Sequence, residues 1–140
     1  MLSFDPARSS FVLGSCRFGI AAALDAVLAC LPGAVCEEVP EKNWTFLSAK
    51  DGDLNISLHF DAGRLDSGYF WVLLPDESTS WDDYEADERR RRAAHLKLLQ
   101  RLFGAGGFRD SQMVVEPMRD PKNGLEIIAF NRPPEVAAGR

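Results

Sequence analysis

The sequence LNISLHF at residues 54–60 alternates strictly between apolar and polar side chains. A period of two is typical of a β-strand that buries one face and exposes the other to water. Shorter β-like runs occupy residues 34–39, 43–49 and 69–74, and residues 50–53 supply a tight turn before the alternating stretch. We therefore expect an antiparallel sheet built around residues 54–60.

Two segments near these runs have helical spacing. Residues 16–31 place apolar side chains three and four positions apart, which predicts an amphipathic helix capped by Ser15. Residues 81–103 carry an apolar face in their C-terminal half, with Ser80 or Ser78 as the cap. Each helix should pack against the sheet.

The remaining chain completes the predicted topology. Residues 112–118 and 125–130 are typical of a hairpin, residues 10–13 suit a short strand or an extended lead-in, and residues 61–68 are expected to be a loop. Helices and strands in this order predict an α+β fold. We expect an antiparallel sheet of about five or six strands with two main helices packed on one face.

Length and composition limit the class of protein. The chain has 140 residues, 46% hydrophobic and 26% charged, which excludes a disordered chain and fits one domain. We assign residues 1–132 to this domain and residues 133–140 to a short frayed tail. Residues 1–10 lack the basic start and apolar core of a secretory signal, and no apolar run is long enough to cross a membrane, so we expect a cytoplasmic protein.

Three cysteines, Cys16, Cys30 and Cys36, are an odd number with spacings that match neither a redox motif nor a zinc motif. We expect all three to be reduced, and we expect Cys30 and Cys36 to behave as small buried side chains. Cys16 is the exception, because the start of the predicted helix would lower the pKa of its thiol. It is therefore a candidate nucleophile.

Four consecutive arginines occupy residues 89–92 of the second helix. Successive helical residues point about 100° apart, so the run forms no single basic face for nucleic acid. Acids precede these arginines at helical spacing, and we expect a solvated helix that neutralises itself through three i,i+4 pairs, Glu85–Arg89, Asp87–Arg91 and Glu88–Arg92.

Catalytic groups are few. His59 and His95 are the two histidines, and neither belongs to a metal-binding motif, so we expect no metal and no cofactor. An enzyme would have to use Cys16 or His59 with a carboxylate. Aromatic residues could line a groove, although their strand spacing favours the core: Trp44, Phe46, Tyr69, Phe70, Trp71, Trp81 and Tyr84.

The net charge of −5 favours a partner with a basic surface. The leading hypothesis is a small non-catalytic protein-binding module, an immunity-type inhibitor of a basic toxin domain, with no nucleic-acid or membrane partner. The alternatives are a secretion-chaperone-like escort dimer and the small enzyme. Six acids at predicted strand ends, turns or a helix start are the candidate partner contacts: Glu37, Glu38, Asp51, Asp53, Asp82 and Asp83.

Overall fold

A computed structural model describes residues 1–77 and 80–134. Short 3₁₀ turns occupy Pro40–Lys42 and Trp81–Asp83. The strands and α-helices of this part of the chain are β1 Ser3–Asp5, β2 Ser10–Leu13, β3 Cys16–Phe18, α1 Leu24–Cys30, β4 Val35–Val39, β5 Trp44–Asp51, β6 Leu54–Asp61, β7 Arg64–Val72, α2 Tyr84–Phe103, β8 Phe108–Arg109, β9 Val114–Arg119 and β10 Glu126–Asn131.

The strands form two antiparallel sheets. The large sheet has seven strands in the order β4-β5-β6-β7-β10-β9-β8, and the small sheet has the order β1-β2-β3. The predicted α+β fold is confirmed, with more strands than expected. The additional strands, β1, β3 and β8, span only two or three residues, which is too short to leave a periodic signal.

The alternating stretch at residues 54–60 lies within β6, between β5 and β7. Its apolar side chains are buried, and Leu58 and Phe60 are fully so. Asn55, Ser57 and His59 point to the other face and are half-buried. The prediction of a strand with one core face is therefore confirmed.

The predicted loop at residues 61–68 is wrong. Ala62 and Gly63 both have positive φ, 51° and 77°, the backbone of a two-residue hairpin turn, and β7 begins at Arg64. Alanine is rarely found at positive φ, so the pair Ala62-Gly63 carries a weaker turn signal than Asn-Gly. The tight turn lengthens β7 and pairs it with β6 over nearly its whole length.

The predicted helix at residues 16–31 is also wrong in its first half. Cys16 and Phe18 are buried and Arg17 is exposed, which is the alternation of strand β3. Gly19 follows, where an added Cβ would lie 2.5 Å from the carbonyl oxygen of Ser9. Helix α1 begins only at Leu24, so Ser15 caps no helix. A strand of three residues leaves too short an alternating pattern to be recognised in a sequence whose apolar spacing also fits a helix.

The second helix and the hairpin are confirmed. The predicted segment 81–103 contains the 3₁₀ turn and α2, and the hydroxyl of Ser80 accepts a hydrogen bond of 3.2 Å from the Asp82 amide. The hairpin consists of β9 and β10. The alternative cap Ser78 and residues 135–140 of the predicted tail lie outside the described residues.

The core lies on one face of the large sheet. Phe11 of the small sheet is fully buried, with its ring centroid 4.8 Å from that of Phe70 and 5.2 Å from that of Phe130. Leu99 of α2 and Val27 of α1 belong to the same buried cluster. The small sheet and both helices thus cover this face. Within the described ranges, no helix is long and apolar enough to cross a membrane.

The cysteines differ from the sequence expectation. Cys16 of β3 and Cys30 at the end of α1 form a disulfide, and Cys36 is exposed and free. Folding β3 beside α1 brings the two sulfurs together, which their spacing of fourteen residues does not reveal. Because disulfides persist in oxidising compartments, the bond removes the cysteine argument for a cytoplasmic location.

We predict one free thiol per chain when the protein is purified and denatured without reductant. Closing a loop of about 15 residues stabilises a protein by about 3 kcal/mol, so Cys16→Ala/Cys30→Ala should lower the unfolding free energy by about that amount. Thiol titration and urea unfolding measure the two quantities. Cys36→Ala is the control and should change stability little, because Cys36 is exposed. Three titratable thiols in the untreated wild type would contradict the disulfide.

Candidate partner-binding surface

The face of the large sheet opposite the core carries a row of rings. We call it the open face and define it by Trp44, Phe46, His59, Tyr69 and Trp71. The strand register places Phe46 opposite His59, and it brings Tyr69 and Trp71 beside polar residues of β6. All five side chains are half-buried. The expectation that these aromatic residues belong to the core is therefore wrong for the four on this face, whereas Phe70 is fully buried.

Contacts between neighbouring rings hold the side chains of the open face in position. Phe46 stacks on His59 with centroids 4.8 Å apart, and Trp44 meets His59 edge-on at 4.9 Å. The ammonium of Lys42 lies 4.5 Å from the centroid of Trp44. Rings already held by such contacts lose little rotamer freedom when a partner covers them. These rings are therefore held in place before any partner covers them.

Two depressions lie side by side on the open face. One has a volume of about 450 Å³ and is lined in part by Val35, Lys50 and Trp71. The other has a volume of about 480 Å³ and is lined in part by Phe46 and His59. Ser57 and Tyr69 line both. The depressions therefore adjoin each other and are mainly apolar, with Ser57 and Tyr69 on their common border.

The two residues proposed for an enzyme have different surroundings. Cys16 is fully buried and disulfide-bonded, so it offers no thiol, and the Cys16 version of the enzyme is wrong. His59 lies with its Nδ1 3.9 Å from Asp66 Oδ2, beyond hydrogen-bond distance, and Asp66 also meets Arg132 at 3.3 Å. In the described residues, no group of three His, Cys, Asp or Glu side chains could hold a metal ion.

The six candidate acids lie in three separate places. Glu37 and Glu38 are exposed on β4, Asp51 ends β5 and Asp53 lies in the β5–β6 turn, and the remaining two, Asp82 and Asp83, are exposed before α2. Glu38 is opposite Thr45, six residues along β5 from Asp51, which corresponds to about 20 Å. The structure brings neighbours in sequence together but forms no single patch from the six.

A buried group of charged and polar side chains, which the sequence did not reveal, joins α2 to the sheet. We call it the buried charge cluster; it consists of Asp87, Glu88, Arg91, His95 and Glu126, all buried. Arg91 is fully buried, with Nε 3.2 Å and Nη2 3.1 Å from the carboxylate of Glu88. The expectation of a solvated helix is therefore wrong on this side of α2.

The arginine run forms ion pairs other than those predicted. Arg91 pairs with Glu88 at i,i+3 and with Glu77, and it donates to the Val72 carbonyl. Arg90 pairs with Asp76 and Asp87, and Arg92 lies 3.5 Å from Glu126. Glu85, expected to pair with Arg89, lies 3.0 Å from Arg119. The fold supplies acids from the segment after β7 and from β10, and these replace the i,i+4 partners.

Burial shifts the pKa of two groups in the buried charge cluster. Burial, with a smaller effect from the charge of Arg91, lowers the pKa of His95 from 6.5 to about 4. The neutral ring accepts a hydrogen bond of 3.0 Å from the Val72 amide at Nε2. Burial raises the pKa of Glu88, although the 2.7 Å hydrogen bond from the Glu126 amide opposes the shift. The cluster thus contains an uncharged histidine beside paired charges.

Together these features define a two-layer α+β domain with one covered sheet face and one open face. A chain of the solved structure described as "Rhs1-CT in complex with cognate immunity protein RhsI1" has a similar fold, with a TM-score of 0.59 over 94% of this chain and 86% of that one. The sequence identity is 14%, so the likeness is one of fold. A scan against protein-family models finds no match. A search of curated proteins also finds none.

We predict that His95 makes the protein less stable in acid. In the unfolded chain His95 takes up a proton near pH 6.5, whereas in the folded chain it does so only near pH 4. The free energy of unfolding therefore decreases as the pH is lowered from about 6.5 to about 4. A difference of this size between the unfolded and folded pKa corresponds to about 3 kcal/mol. Urea unfolding across this range should show a smaller fall with decreasing pH for His95→Gln than for the wild type.

Glu88 acts in the opposite direction. Its raised pKa gives a contribution that is full below pH 4.5 and is lost as the pH rises through the folded value. Since His95→Gln retains Glu88, the difference between the two proteins isolates His95. Leu96→Gln, a change to glutamine at an exposed position of the same helix, is the control and should retain the wild-type slope. Equal slopes for all three proteins would refute the assignment.

Proposed function

We propose that this protein is a non-catalytic protein-binding module of the immunity type, which inhibits a toxin domain with a basic surface. The observation that carries the proposal is the open face, a sheet surface with partly exposed aromatic rings and two adjoining, mainly apolar depressions. Aromatic side chains in such settings are frequent energetic centres of protein interfaces. The partner would cover the rings and exclude water from them.

The charge of the protein supports a basic partner. The chain carries a net charge of −5, and five of the six candidate acids are exposed. Because the six acids lie in three places, we propose that they form no single contact patch and that the four aspartates among them act through the long-range field. Such a field accelerates encounter with a basic surface more than it strengthens the bound complex.

The fold likeness agrees with this proposal. The similar chain comes from a complex that contains an immunity protein. An inhibitor needs a stable surface and no reactive group, and an antiparallel sheet with its core on one side provides such a surface.

The proposal is tested by inhibition. Tagged wild-type protein is used to capture partners from the source cells, and each basic partner identified by mass spectrometry is expressed with and without it. We expect one partner to arrest growth alone and to be neutralised by co-expression. Tyr69→Ser should weaken binding of that partner by at least about 30-fold, because Tyr69 borders both depressions.

Leu28→Ala is the matched control for Tyr69→Ser, since Leu28 is a partly exposed apolar residue of α1, away from the open face. It should bind like the wild type. Circular dichroism verifies that both variants fold. The proposal fails if no captured basic protein is neutralised, or if Tyr69→Ser inhibits as well as the control.

The proposed role of the acids gives a separate kinetic prediction. Asp82→Lys/Asp83→Lys and Asp51→Lys/Asp53→Lys should slow association with the neutralised partner and leave dissociation nearly unchanged. The effect should decrease at high salt, since screening shortens the reach of the field to about 8 Å at physiological ionic strength. Stopped-flow mixing at two salt concentrations measures it. Association rates that ignore both reversals and salt would show that these acids do not steer the partner.

A further inference from the structure

Strand β4 forms a long edge of the large sheet. Its five residues pair with β5 from Val35 opposite Ser48 to Val39 opposite Trp44, and in the strand order of the described residues β4 is the terminal strand, next to β5. The opposite edge is β8, which has only two residues. An edge strand presents backbone N–H and C=O groups on its outer side, where another strand can pair. Four of its five residues, Val35 to Glu38, are exposed, and Val35 is 66% exposed.

Two adjacent carboxylates mark this edge. Glu37 and Glu38 are both exposed, and successive strand residues point to opposite faces of a sheet. One carboxylate therefore flanks the edge on each face. The segment Val35–Val39 contains no proline, which would remove a backbone donor, and its charged residues are these two glutamates. The negative charge of the two glutamates should favour a basic strand at this edge and disfavour an acidic one.

We propose that β4 binds an extended segment of the protein partner by strand addition, and that this segment has two adjacent basic residues opposite Glu37 and Glu38. In paired strands, residues directly opposite each other point to the same face, so consecutive Lys or Arg residues place one positive charge beside each carboxylate. The inference rests on the proposed function for the existence of such a partner. It specifies which chemistry of the partner meets β4.

The same charges oppose a second copy of this chain as the occupant. Antiparallel pairing of two β4 strands centred on Glu37 or on Glu38 places that glutamate directly opposite its equivalent in the other copy. Like charges directly opposite each other destabilise a strand pair. A basic segment gains attraction at the positions where a second copy suffers repulsion.

Strand addition at β4 would also extend the open face. Glu37 is opposite Phe46 in the β4–β5 register, and Val35 lines the depression of about 450 Å³. A segment paired with β4 thus lies next to the rings. Backbone hydrogen bonds would supply affinity and the two basic side chains would supply selectivity, as in other cases of strand addition.

The test uses the protein itself as the basic strand. Glu37→Lys/Glu38→Lys converts β4 into a segment with two adjacent basic residues and leaves the rest of the chain unchanged. Both this variant and the wild type carry Cys36→Ser, because the exposed Cys36 could otherwise form a disulfide between chains. We expect each protein alone to remain monomeric, since each repels its own copy. The equimolar mixture should form a heterodimer through antiparallel β4 strands.

Sedimentation velocity measures the association, and hydrogen exchange locates it. The mixture should associate at least about tenfold more tightly than either chain alone, and high salt should weaken it. The amides of residues 35–39 should gain protection. Asp25→Lys/Asp53→Lys makes the same change in net charge at exposed positions outside β4 and should not associate with the wild type.

Three results would overturn the inference: a wild type that dimerises through β4, a mixture that stays monomeric, or a heterodimer without protection at residues 35–39. None depends on the natural partner. Failure of the inhibition experiment would therefore refute the proposed function and leave this result standing. Conversely, a monomeric mixture would remove strand addition and leave inhibition through the open face intact.

Discussion

The architecture depends on the burial of one guanidinium group. Arg91 is fully inaccessible to water, so its charge must be matched within the protein, and Glu88, Glu77 and the Val72 carbonyl surround it. A buried charge without partners would be strongly destabilising. Because these partners come from α2, from the end of β7 and from the segment that follows, the requirement fixes the helix against the end of the sheet.

This attachment determines which face of the sheet is covered. From the buried charge cluster, α2 continues toward the core, where Leu99 is buried with the phenylalanines of the small sheet. The small sheet occupies the rest of that face through Phe11. The rings on the opposite face remain partly exposed in consequence, and the surface proposed for the partner results from a core built on one side.

Elements with a strong local sequence signal were predicted correctly, and elements that depend on contacts between distant residues were not. Residues 54–60, the second helix and the C-terminal hairpin were predicted because their periodicity is local and extends over several residues. The segment 16–31 and the loop 61–68 were mistaken because a strand of three residues and an Ala-Gly turn carry too little local signal. The sequence shows aromatic residues at strand spacing, but alternation alone does not show which face of the sheet the helices cover.

The sequence alone determined four features: the strand with one apolar and one polar face, the α+β class, the acidic net charge, and the position of each charged residue along the chain. Tertiary structure decided which charges are buried: Arg89 is exposed, whereas Arg91, two residues later, is not. It also joined Cys16 to Cys30 and placed Arg92 beside Glu126, which is 34 residues away. Periodicity is set by neighbouring residues, but burial and pairing depend on elements that meet only when the chain folds.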